Sequence, residues 1–76
     1  MIRKVVLWSN EVVEAFDENG ARISSFAGKL SDVLSPLLEK TGTDTKFALS
    51  FFGIGEREVP RDEWEAQAKY FIRRNR

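Results

Sequence analysis

The chain contains no cysteine and no histidine, one methionine and two prolines among 76 residues, and its 12 basic and 12 acidic residues leave no net charge. Each shortage removes a class of function or of stabilisation. Without cysteine there is no disulfide, and without cysteine or histidine a zinc site has almost no ligands to draw on. The same two absences take away the usual nucleophile and the usual general base of enzymes. A balanced charge argues against non-specific nucleic-acid binding, which needs a clustered positive field to displace counterions from phosphates. The apolar run after Arg3 and Lys4 stops at Ser9-Asn10, too short for a signal-peptide core or a membrane span. A cytoplasmic protein is expected.

What is present is a folding composition. Two Trp, one Tyr and six Phe in a chain that is 42% apolar are too many for disorder. The length suits a single domain over residues 1–76, which buries about 60–65% of its unfolded surface and so has a thin margin of stability. Of the props that small domains use, disulfides and zinc are excluded and self-association is left.

Residues 2–8 carry Ile2, Val5, Val6, Leu7 and Trp8, a composition that predicts a strand. In 11–18, Val12 and Phe16 alternate with Val13 and Ala15, a second strand by its period of two. Asn19-Gly20 is the preferred dipeptide of a type I′ turn and predicts a hairpin with 21–27 as the returning strand. The period then changes: Leu30, Val33, Leu34, Leu37 and Leu38 form one helical stripe, with Ser31 as N-cap and Gly42 as a left-handed stop. Pro36 implies either a kink or a shorter helix capped by Ser35. Residues 46–54 form a fourth strand with bulk on both faces, and Gly53 and Gly55 mark a loop. Pro60 opens a last helix whose stripe is Trp64, Ala68, Phe71 and Ile72, with acidic residues in its first turn and arginines in its last.

The expectation is therefore an α+β, two-layer sandwich in β-β-β-α-β-α order, a four-stranded mixed sheet with two helices. A right-handed crossover sets strand four parallel to strand one. In element order alone this resembles the first part of the ribonuclease H fold and its reduced form in small antitoxin domains. The resemblance implies acidic metal ligands in the middle of strand one, in the first helix and near the end of strand four. This chain has Val5, Val6 and Ser50 in those strands, so the two-metal chemistry is excluded.

Other motifs weigh little. Glu11, Glu14, Asp17 and Glu18 lack the loop spacing of a calcium site and read as a solvated hairpin rim. Ser9, Ser24 and Ser25 have no base in the local sequence. Gly53-Ile54-Gly55 runs into Glu56 and Glu58, whose charge repels a phosphate. Lys46 to Phe51 has the look of a base-stacking strand, but alternating aromatics more often fill a core.

No enzyme activity, cofactor or metal is expected. The composition points to a small protein-interaction or inhibitor module, with another protein or a second copy as partner and a homodimer expected. Its candidate binding residues are Trp8, Phe52, Trp64 and Tyr70, since Trp and Tyr dominate interface hot spots. The alternative is a nucleic-acid-binding accessory protein using Arg22, Lys46, Arg73, Arg74 and Arg76.

Overall fold

Alternating apolar residues build the strands, and a 3.6-residue apolar stripe builds each helix. The computed structural model describes residues 2–51 and 55–74. In chain order its elements are β1 (Ile2–Trp8), β2 (Val12–Asp17), a 3₁₀ turn (Ser24–Phe26), β3 (Gly28–Lys29), α1 (Leu30–Lys40), β4 (Lys46–Phe51), β5 (Gly55–Val59) and α2 (Arg61–Arg74). The fold is α+β, with two helices and one mixed five-stranded sheet in the order β3-β2-β1-β4-β5. β1 lies at its centre, antiparallel to β2 and parallel to β4, as the crossover reading requires.

The sheet has five strands where the sequence predicts four. The addition is β5, which pairs antiparallel with β4 from Phe47↔Val59 to Phe51↔Gly55. Its sequence is Gly-Glu-Arg-Glu-Val, exposed until the buried Val59. An edge strand of this kind carries no hydrophobic alternation to announce it. The predicted strand over 21–27 is reduced to one isolated bridge, Phe16↔Arg22, followed by the 3₁₀ turn and the two-residue β3.

The turn at Asn19-Gly20 also differs from the type I′ prediction. Only Gly20 takes positive φ, at 80°, and its N–H donates to the Asp17 carbonyl (3.0 Å). The Asp17 carboxylate accepts from the N–H groups of Asn19 (2.9 Å) and Ala21 (3.0 Å), which holds Asn19 out of the left-handed region that a I′ turn demands. β1 and β2 are joined by a turn of the same build, in which Glu11 N–H donates to Trp8 C=O (2.9 Å) and Glu11 itself has φ 68°.

α1 runs unbroken past Pro36, so Ser35 caps nothing, and Lys29 rather than Ser31 stands at the N-cap. Pro36 and Asp32 are both exposed, so water reaches the Asp32 carbonyl that proline leaves without a donor. At the C-terminus the cap is Thr41, whose hydroxyl donates to the Leu38 carbonyl (2.9 Å); Gly42 has no left-handed φ. α2 starts at Arg61 with Pro60 just outside it, and the Pro60 carbonyl accepts the first helical bond from Trp64 N–H (3.0 Å).

Both helices cover the same side of the sheet. Their stripes, Leu30, Val33, Leu34 and Leu37 with Trp64, Ala68 and Phe71, form one core with Val5, Leu7, Val13, Ala15, Phe47, Leu49 and Val59 from the strands. Ile2 joins this core although strict alternation from Val5 would aim it at the other face. The register slips between Ile2 and Lys4, and that irregularity brings Ile2 round.

Candidate functional site

The residues that alternate with the core positions face away from the helices. Register places them in rows: Phe16, Lys4 and Lys46; then Glu14, Val6, Ala48 and Glu58; then Trp8, Ser50 and Glu56. Arg22 extends the first row through its bridge to Phe16. Val6, Ala48 and Ser50 are buried although no helix covers them, so their own neighbours cover them.

Those neighbours are charged and lie along parallel diagonals. Arg22 Nη1 contacts Glu14 Oε2 (3.2 Å), and the other oxygen of Glu14 accepts from Trp8 Nε1 (2.7 Å). In each step the partner lies one strand over and two residues along. Lys46 reaches Glu58 by the same step (3.8 Å), and Lys4 reaches Glu56 by two such steps, with Ala48 midway. The twist of a sheet draws diagonal neighbours of one sense together, and the small Ala48 leaves room for the aliphatic stem of Lys4. The face thus carries a layer of three cations and three carboxylates. Trp8, 40% exposed, stands at one end of it.

The structure separates the sequence-predicted binding residues. Trp8 is on the helix-free face. Tyr70, 51% exposed, is on α2 in the other layer, under the Arg74 guanidinium, which lies 5.9 Å from its ring and 5.0 Å from that of Phe71. Trp64 is fully buried, its Nε1 donating to the Ala48 carbonyl (3.1 Å) and its ring 5.2 Å from that of Phe47. It is a core residue and offers a partner no surface, because the stripe that folds α2 onto the sheet already uses it. Phe52 lies outside the described residues.

The basic residues are also divided. Arg22 and Lys46 lie in the row at the start of β1, and both are matched by carboxylates. Arg73 and Arg74 are at the other end of the molecule, where Arg74 meets Glu11 of the β1–β2 turn (3.5 Å). Arg76 lies outside the described residues. No continuous positive field joins the two ends among the described residues.

The described residues hold no cluster of three or more carboxylates that could bind a metal ion, and no buried side-chain nitrogen or oxygen among them lacks a partner. An open cleft at the Lys46 end is lined by residues of both signs, Arg3, Lys46 and Arg61 together with Asp44 and Glu58. No helix of the described residues is long and apolar enough to cross a membrane. No family model matches the chain, and neither a curated protein nor a solved structure is significantly similar to it.

Proposed function

We propose that this chain is a non-enzymatic protein-interaction module that self-associates through the helix-free face of its sheet, with Trp8 as the anchor. The observation that carries this reading is Trp8 itself. A large aromatic side chain is left 40% exposed on an uncovered sheet face and is fixed there by its bond to Glu14, which Arg22 holds from the other side. An anchor oriented before contact loses little side-chain entropy on binding. Val12 and Phe16, half-buried on the same face by alternation, supply apolar surface beside it.

A second copy suits this face because its cations and carboxylates balance, so two such faces meet with no net repulsion. The nucleic-acid reading has less support, since Arg22, Lys46 and Arg74 each face a carboxylate.

The test is solution mass by light scattering over a dilution series at low and high salt, for the wild type and Trp8→Ala. A dimer that is indifferent to salt and lost in Trp8→Ala is the expected result. A wild type that stays monomeric at every concentration overturns self-association, and a dimer that Trp8→Ala leaves intact overturns the choice of face.

A further inference from the structure

The outer edge of β5 is a second surface with an open backbone. An edge strand presents unpaired N–H and C=O groups along its length. At the opposite edge of the sheet, β2 is already occupied, by the two-residue β3, by Ile23 N–H on Ala15 C=O (2.8 Å) and by Asp17 N–H on Ala21 C=O (2.9 Å). β5 has five residues in unbroken register with β4, no interior proline, and no strand beyond it in the sheet order.

Its side chains state which strand fits beside it. Glu56 and Glu58 point to the helix-free face, and Arg57, in register with Leu49, to the other. Lys4 and Lys46 approach the two carboxylates from the inner strands, each taking a single oxygen, so the remaining oxygens have acceptor capacity toward the open edge. Arg57 makes no ion pair among the described residues and is exposed.

A second copy of β5 does not fit. Two antiparallel β5 strands related by a two-fold axis normal to the sheet pair residues of the same parity, so the registers centre on Glu56, Arg57 or Glu58. Each of these sets carboxylate against carboxylate, and the one centred on Arg57 also opposes the two guanidinium groups. Like charges directly opposite one another destabilise a strand pair. An apolar strand fits no better, because it covers Arg57 with no carboxylate to meet it and offers nothing to the remaining oxygens of Glu56 and Glu58. The charged edge therefore excludes indiscriminate pairing and leaves one complementary pattern.

We propose that the β5 edge accepts an extended segment of another protein with the alternating pattern basic-acidic-basic, added as a sixth strand. Main-chain bonds supply the affinity and the charges supply the choice of partner. The cations of the segment lie opposite Glu58 and Glu56, and its carboxylate lies opposite Arg57. The pattern is palindromic, so it reads the same in either strand direction.

This inference does not rest on the dimer, and its test keeps the two apart. Short peptides with Lys-Glu-Lys, Glu-Lys-Glu or Val-Val-Val between identical threonine-rich flanks are titrated into the ¹⁵N-labelled wild type and Trp8→Ala, and the amide shifts of residues 55–59 are followed. The Lys-Glu-Lys peptide is expected to shift the β5 amides in both proteins and to bind about tenfold tighter than its charge inverse. Arg57→Glu, a change at an exposed position, is expected to weaken that peptide several-fold and to favour Lys-Lys-Lys in its place. Absence of β5 shifts at millimolar peptide overturns the proposal. Equal binding of the charge inverse, or stronger binding of Val-Val-Val, overturns the charge code.

Discussion

At the scale of single residues, Thr45 shows how much structure a polar loop position can carry. It is buried, its hydroxyl donates to the Ile2 carbonyl (2.7 Å), and it accepts from Gly42 N–H (3.0 Å). One side chain thus closes the loop before β4 and ties it to the start of β1. Thr45→Val keeps the shape and strands both backbone groups, so it is expected to cost about 1–3 kcal/mol in urea unfolding; an unchanged midpoint would show that water replaces the hydroxyl. Composition reads residues 41–45 as a loop and goes no further, because the Ile2 carbonyl that Thr45 reaches is far away in sequence. Trp64 teaches the converse. It stands in the apolar stripe of α2 and in the list of residue types that favour interfaces, and the two roles compete for the same surface. Burial decides for the stripe, whereas Trp8, at the exposed end of a strand, keeps its surface. Glu11 hides its turn from the sequence, since a glutamate with φ 68° occupies a place where glycine or asparagine is the expected signal.

At the scale of elements, legibility followed burial. β1, β2, β4 and both helices each bury a periodic apolar set, and the sequence reading finds all of them. It also finds the parallel pairing of β1 with β4, because a helix between two strands leaves little other choice. β5 and residues 21–29 escape because their pairing is made by backbone groups while most of their side chains face solvent. The candidate face was legible only as single residues, since Trp8, Glu14 and Arg22 become one constellation through strand register. Pro36 is the local rule that α1 breaks. It sits inside the helix at an exposed position and removes one main-chain bond. Pro36→Ala is expected to restore that bond and raise stability by up to about 3 kcal/mol, measured as a higher denaturant midpoint with unchanged slope. A fall in stability would show that the fixed φ of proline, which narrows the unfolded ensemble, outweighs the missing bond.

At the scale of the whole molecule, the helices segregate to one side and leave a charged sheet face on the other. Ion pairs on such a surface contribute little to stability, but they cancel the field that a polyanion would sense. Generic single- and double-stranded DNA and RNA at low salt are therefore expected to give no shift in fluorescence anisotropy on titration with the protein. Binding whose logarithm falls steeply and linearly with the logarithm of salt would restore the nucleic-acid reading and count the phosphates contacted.

The central place of β1 bears on how the chain is made. β1 leaves the ribosome before the other strands of this sheet, gains β2 on one side almost at once, and must wait for β4 on the other until all of α1 has been synthesised. Throughout that interval its second edge, with Val5 and Leu7 beside it, is open to whatever strand the growing polypeptide meets. The Ala48 carbonyl then waits further, for the Trp64 indole on α2. Parallel, long-range pairings of this kind form slowly, so the nascent chain is at greatest risk of mispairing before α2 emerges, and synthesis that pauses between β2 and β4 lengthens that risk.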